Sequence, residues 1–327
     1  VELWCRSYRV EVKRNHGMSR TVPAVNDRFV VSIGPKCHVL CVDRLTGEFA
    51  WGIDMVREYG ADVPLWYTAQ CPLLDDGLAI LAPAGDEVLM MGVELATGQV
   101  AWTTPNDRGW AMSHSSIMPA EIHGRRQYVY AAIGGVVGVA ADGPDRGRVL
   151  WTCDEWNSNV VSPSPVIFED GRLFLTTGYG AGGMMIQIER DGEAWSSEVL
   201  YRTARSELAA EQQTPLLWRD RLFSVLPKDG GDHRQQLVCY NPATQSVVWR
   251  SGKQHRFGLG PFLLADDKLF VLSDDGVLTM ARASLDAYEP LAEAQVLTGR
   301  DAWGPMALVD GLLLLRDSTE LRCLEMK

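Results

Sequence analysis

Residues 41–51 read CVDRLTGEFAW, an apolar strand, a Thr-Gly turn and a second strand that ends in tryptophan. The unit returns at 92–102 as GVELATGQVAW and at 239–249 as CYNPATQSVVW, with Thr at the sixth position and Trp at the eleventh in each. Self-similarity of this kind marks a repeat architecture, and it overrides the two-domain expectation that 327 residues would otherwise raise.

Upstream of each copy lies a second anchor: a proline entering a short apolar strand, an Asx or Gly turn, and another apolar strand. Pro23, Pro72, Pro165, Pro215, Pro261 and Pro305 begin such hairpins, whose turns are Asn26-Asp27, Asp76-Gly77, Asp170-Gly171, Asp220-Arg221, Asp266-Asp267 and Asp310-Gly311. A third, irregular copy turns at His123-Gly124, with Met118 or Pro119 in the proline position. Successive prolines are 44 to 50 residues apart, or 93 across two copies. Four short strands at that period predict propeller blades, seven in all. The fold class is therefore all-β, a seven-bladed β-propeller of four-stranded antiparallel blades filling residues 1–327 as a single domain. One helical turn is expected, at 206–211.

The seventh copy ends without its Trp strand, whereas the chain opens with LWCRSYRVEV. Trp4 lies 19 residues before Pro23, much as Trp51 lies 21 before Pro72 and Trp195 lies 20 before Pro215. Residues 3–12 are thus expected to supply the outer strand of the last blade and close the ring. The chain begins at Val1 rather than Met, which leaves room for a removed leader, while closure puts nothing essential to the ring upstream.

The repeated unit resembles the tryptophan-docking repeat of the pyrroloquinoline-quinone-like propellers, Ala-x-Asp-x-x-Thr-Gly-x-x-x-Trp. Asp43, Thr46, Gly47 and Trp51 match, and Glu94, Asn241 and Gln245 are departures in the weaker copies. The resemblance implies the propeller fold and a docking role between blades for Trp4, Trp51, Trp102, Trp151 and Trp249. It leaves activity open. The superfamily includes quinoprotein dehydrogenases, the scaffold lipoprotein of the outer-membrane barrel-assembly machine and sensor domains of kinases.

Composition narrows the choice. A net charge of -11 argues against nucleic acid as a partner, since the phosphate backbone is met by basic surface. No apolar run is long enough for membrane insertion, and a monomer is expected. Seven cysteines exclude complete internal pairing and lean towards a reducing, cytoplasmic compartment; the resemblance leans towards the periplasm or cell envelope. Cys37, His38 and Cys41 read as strand residues rather than a zinc site. Gly178-x-Gly180-x-x-Gly183 runs into an apolar strand and so lacks the helix that a dinucleotide fingerprint needs.

Any site is expected in the segments that lead into the innermost strands: RNHGMSR (14–20), LWYTAQ (65–70), GWAMSHSS (109–116), EWNSNVVS (155–162), AAEQQ (209–213), QHRFGLG (254–260) and GRDAWG (299–304). Variable loops on a rigid repeat scaffold are where binding residues collect. The candidates are Arg14, His16, Arg20, Tyr67, Gln70, His114, Asn159, Glu211, Gln212, Gln213, Arg256, Arg300, Asp301 and Trp303. Their arginines suit a polar or acidic small ligand, or an acidic segment of a protein partner. His16 and His114 are the candidates for a general base, though neither has an evident orienting carboxylate.

The favoured reading is a non-catalytic binding module with no resident cofactor or metal. The alternative that the resemblance implies is a quinoprotein dehydrogenase, holding the quinone and calcium with Trp303, Asp301, Glu211 and Asn159 in plausible segments. A carbohydrate-active hydrolase or lyase is the further alternative.

Overall fold

The structure, a computed structural model, describes residues 2–13 and 20–326. Seven antiparallel sheets follow one another along the chain, each with its strands in chain order. The first holds Ala24–Val25, Phe29–Ile33, His38–Asp43 and Phe49–Asp54. Five more four-stranded sheets occupy residues 73–105, 118–153, 166–203, 216–250 and 262–295. The seventh has three strands, Ala307–Val309, Leu312–Arg316 and Leu321–Glu325. The all-β, seven-bladed propeller reading of the sequence therefore holds.

The closing strand is a different matter. Residues 3–12 form no strand, and the seventh sheet stands with three. What those residues do form is the tryptophan contact. Trp4 Nε1 donates to the Arg44 carbonyl (2.9 Å), and a Cβ on Gly47 would lie 2.5 Å from the Trp4 ring. Trp51 repeats this one sheet further on: its Nε1 donates to Leu95 O (2.9 Å), and a Cβ on Gly98 would meet Trp51 at 2.7 Å. Docking by the indole thus needs no ladder on the strand that carries it.

The motif's other residues explain themselves locally. Asp43 Oδ1 accepts from the N–H groups of Leu45 and Thr46 and from the Thr46 hydroxyl, and Gly47 follows at φ 68°. In the weaker copy Gln245 takes the left-handed position at φ 53°. Cys41 faces Trp51 while Val42 faces Phe49, so one residue is extra on the Trp strand. The same bulge recurs beside Gly92 and Cys239, adding local twist where each tryptophan leaves its sheet.

Two corrections concern helices. The segment 206–211 holds turns and bends, and the α-helix lies at Met55–Tyr59 instead. Asp54 caps it by accepting from Arg57 N–H, and Gly60 ends it at φ 69°.

The chain divides into two compact units, Val1–Leu175 with Met185–Leu200, and Thr176–Met184 with Tyr201–Lys327. In the first, the strand Leu78–Leu81 is buried on both faces, whereas Phe29–Ile33 alternates between buried and half-buried. In the second, Arg221–Val225 and Lys268–Leu272 are buried almost throughout, whereas Leu312–Arg316 alternates and leaves Leu312 and Leu314 exposed. Alternation at period two is the mark of a sheet covered on one face only.

Candidate functional site

In the first unit the segments entering the inner strands are tied to one another. Val22 N–H donates to Cys71 Sγ (3.2 Å), Cys71 N–H to Ser116 Oγ (3.0 Å) and Ser116 N–H to Ser164 Oγ (3.1 Å). Each of these four residues stands two positions before the first strand of its sheet, so the relay joins equivalent points of successive repeats. A second set of bonds runs into each sheet's own second strand. Thr21 Oγ1 donates to Ile33 O (2.7 Å), and Ser113 Oγ donates to Ala131 O (2.6 Å). Gln70 brackets Ala82, donating to its carbonyl and accepting from its N–H. Gln70 is fully buried by this work, which makes it a strut rather than a group offered to a ligand.

Arg20, Tyr67 and His114 are brought together. His114 is 8% exposed, with the Trp66 ring stacked beside it at 6.4 Å between centroids and 22° between planes. Burial, then the charge of Arg20, push His114 down to about 4, against backbone carbonyls of Leu65 and Tyr67 that favour the protonated ring. Its Nδ1 has no hydrogen-bond partner among the described residues. Arg20 is half-buried, and burial lowers its pKa while Tyr67 pulls it up. Trp66 and Tyr67 both adopt left-handed backbone, φ 64° and 73°, an uncommon state for aromatic residues and more so for two in succession. The Tyr67 hydroxyl is bonded to the backbone of Lys13. Asn159 is exposed on its own segment. Arg14 and His16 lie outside the described residues.

In the second unit the candidates divide. Glu211 is 3% exposed and holds Lys228, whose Nζ lies 2.8 Å from Oε1 and whose N–H donates to Oε2 (3.2 Å). The Gly-rich connection lies over this pair: a Cβ on Gly178 would meet Glu211 Cγ at 2.7 Å, and the Lys228 ammonium sits 5.6 Å from the Tyr179 ring centre. As its sequence indicates, that connection leads into a strand, Gly182–Asp191. Gln213 Nε2 donates to Trp303 O (3.2 Å), and Trp303 Nε1 donates to Asp274 Oδ1 (2.7 Å), so Gln213, Trp303 and the neighbouring Asp301 form one group. Gln212 is half-buried and Arg300 exposed.

Arg256 has a local structural task. Its guanidinium donates to the carbonyls of Arg234 and Asp232, stapling the connection that follows the fifth sheet's second strand. Carbonyls in a bent loop need donors, and the planar fork of arginine supplies two at once.

Lys228, Asp274 and Asp317 are the residues that sequence reasoning passed over. Asp274 also accepts from Leu259 N–H (2.7 Å), and burial raises its pKa despite these bonds. Asp317 accepts from Gly299, Thr319 and Glu320 N–H. Burial alone would raise it, but those bonds outweigh burial and hold the carboxyl below the usual range. The available signal was an acid directly after an apolar strand, in VLSDD and LLLRD.

Two of the residues that the quinone reading would use are already engaged within the chain. Glu211 already carries an ammonium and the Trp303 indole is hydrogen-bonded to Asp274. Among the described residues no three His, Cys, Asp or Glu side chains gather as a metal site. A separate cleft of about 340 Å³ opens in the first unit between outer strands, where Trp110, Trp151 and Trp195 meet Arg108. Arg108 is paired there with Asp154.

A family model described as outer membrane protein assembly factor BamB matches residues 2–214. Among solved structures, the crystal structure of BamB from Moraxella catarrhalis is similar with a TM-score of 0.61 at 12% identity, covering 93% of this chain and 84% of that one. A computationally designed protein, Ika8, aligns over 95% of this chain and 97% of its own, at 11% identity and a TM-score of 0.48. No curated protein sequence matches the chain.

Proposed function

The chain belongs to the family of the outer membrane protein assembly factor BamB, and from that premise we propose that it is a non-catalytic scaffold that binds a protein partner through the segments entering its inner strands. One observation carries this reading. The polar groups best placed for chemistry are already bonded within the chain: Gln70 to Ala82, Arg256 to carbonyls, Glu211 to Lys228 and Trp303 to Asp274. A catalytic acid or base needs access to substrate and a tuned partner. His114, the candidate base among the described residues, has a cation and two carbonyls around it where an orienting carboxylate would be required. What the segments offer outward is surface, with Trp66, Asn159 and Arg300 exposed.

Such surface suits recognition, where a few aromatic and arginine anchors carry most of the energy. The family's name favours the cell envelope as the setting, and free thiols at Cys41 and Cys239 fit it as buried core residues that need no pairing. The resemblance to quinoproteins is then one of scaffold and not of chemistry.

A photoreactive amino acid placed at Asn159 or Arg300 should crosslink a discrete protein partner in cells, whereas one at Glu193, on the connection between two outer strands, should not. Equal labelling at all three positions would count against the reading. Dye reduction by the purified chain supplied with quinone, calcium and an alcohol or sugar would overturn it.

A further inference from the structure

We propose that Arg20, His114 and Trp66 form a carboxylate-binding subsite in the first unit, and that a carboxylate docking there draws a proton from solvent onto His114. The inference rests on the scaffold reading and deepens it by naming the chemistry that this part of the surface recognises.

Three independent features converge. The first is charge: Arg20 is a guanidinium half removed from water, and a desolvated cation gains most from an arriving anion. The second is an unmet bond. His114 is more than nine-tenths buried and its Nδ1 has no partner among the described residues, which leaves a polar atom in the state that folded proteins avoid. The third is access. Trp66 is stacked on the imidazole yet is 37% exposed, so the ring that covers the buried Nδ1 is itself at the surface, where its displacement would open the way to a ligand.

The neutral ring follows from this arrangement. Backbone carbonyls of Leu65 and Tyr67 accept from the imidazole, which leaves Nδ1 with its lone pair. The described groups facing it are those two carbonyls, the Trp66 ring and the guanidinium of Arg20; the His114 backbone N–H is used on Val161 O. A carboxylate set between Arg20 and Nδ1 changes both terms that keep the ring neutral. It offsets the guanidinium charge, and it accepts a hydrogen bond from Nδ1 once that atom is protonated. Nothing is transferred from the ligand, which stays a carboxylate while solvent supplies the proton. By linkage, whatever raises proton affinity on docking must make docking tighter at lower pH.

Two sources share this chemistry, a free dicarboxylic acid and an acidic side chain in an extended peptide. Glutarate and the peptide acetyl-Gly-Glu-Gly-Glu-Gly-amide serve as probes, with glutaramide and the Gln-containing peptide as uncharged controls. The His114 ring proton, assigned by its loss in His114→Gln, is followed by NMR as pH is varied. Its midpoint should rise by about 2.5 units with an acidic probe, and affinity by calorimetry should correspondingly be roughly tenfold higher at pH 5.5 than at 7.5. Arg20→Ala should weaken binding at least about tenfold, and Arg20→Lys should restore part of it. Each variant is first shown to melt as a folded chain. A response to glutarate points to a free acid, and a response to the peptide alone points to a protein segment. An unmoved midpoint, or binding equal in Arg20→Ala and the native chain, overturns the subsite. If partner crosslinking at Asn159 persists in Arg20→Ala while no probe binds, the subsite falls and the scaffold reading stands.

Discussion

The two units meet one backbone requirement with different chemistry. Where a segment turns into an inner strand, its N–H groups leave water and need acceptors. In the first unit the acceptors are small side chains handed from repeat to repeat, Cys71, Ser116 and Ser164. At two entrances of the second unit they are carboxylates reaching back from the connection after the second strand, Asp274 to Leu259 and Asp317 to Gly299. The positions before Pro261 and Pro305 are glycine there, Gly260 and Gly304, with no side chain to offer. The consequence is electrostatic. Asp274 and Asp317 are committed to backbone, while the first unit joins its entrances through small side chains and keeps Arg20 beside a neutral His114. The arginines that look like one positive surface in the sequence are therefore not equivalent, and the first unit is the place to seek an anion.

The sharpest test of this contrast is the glycine. A Cβ on Gly260 would stand 1.6 Å from the Leu272 carbonyl oxygen, a backbone atom of the adjoining strand that cannot rotate away. Gly260→Ala should cost about 4 kcal/mol, at the upper end for single substitutions, and Ser164→Gly only about 1 kcal/mol for its lost hydrogen bond. Urea denaturation midpoints measure both. Equal costs would mean that the two entrances tolerate each other's residues and the contrast is one of sequence alone.

His114 gives the next largest effect and is read through pH. Its folded pKa is depressed to about 4, so the unfolded chain takes up this proton near the ordinary histidine value while the folded chain does not. Stability is thus whole above about pH 6.5 and falls as pH drops towards 4, by roughly 3 kcal/mol for this group. Asp317, held below the usual carboxylate range, works in the same direction at still lower pH, since the folded state resists its protonation. Asp274 works oppositely: its raised pKa makes the folded state the better proton binder, so its share of stability falls as pH rises through that range. His114→Gln should flatten the stability profile between pH 6.5 and 4 and leave the limb below it. An unchanged profile would show that His114 is hydrated in the folded chain.

How much of this was legible follows from where the information lies. Copies of CVDRLTGEFAW, spaced by regular prolines, encode the sheets because local turn chemistry and apolar alternation act within each repeat. Trp4 was legible for the same reason, as its distance to Pro23 matches the repeat. Its strand was not, because pairing depends on a partner far along the chain. The entrance segments were correctly singled out as polar, but polarity does not tell a strut from a ligand. Gln70 and Arg256 looked like offered groups, and only the positions of Ala82 and the carbonyls at 232 and 234 show them engaged. His114 and Tyr67 lie in the segments before the inner strands to which the repeat points, whereas Asp274 and Asp317 lie in connections that the repeat treats as turns.

The smallest effect tests the relay itself. Ser116 is both acceptor and donor, taking the Cys71 N–H and passing its own N–H to Ser164. Ser116→Ala removes one acceptor and keeps the onward donor, so it should cost about 1 kcal/mol, with the Cys71 amide losing protection from hydrogen exchange while the Ser116 amide keeps it. Cys71→Ser moves the other way, putting a stronger oxygen acceptor where sulfur now meets Val22 at 3.2 Å, and should slow exchange at Val22. If each link is local, the two changes add in the double variant. A double variant that loses protection from Val22 to Ser164 at once would show that the four entrances open together, which the entrances at Leu259 and Gly299, each bound to its own carboxylate, should not do.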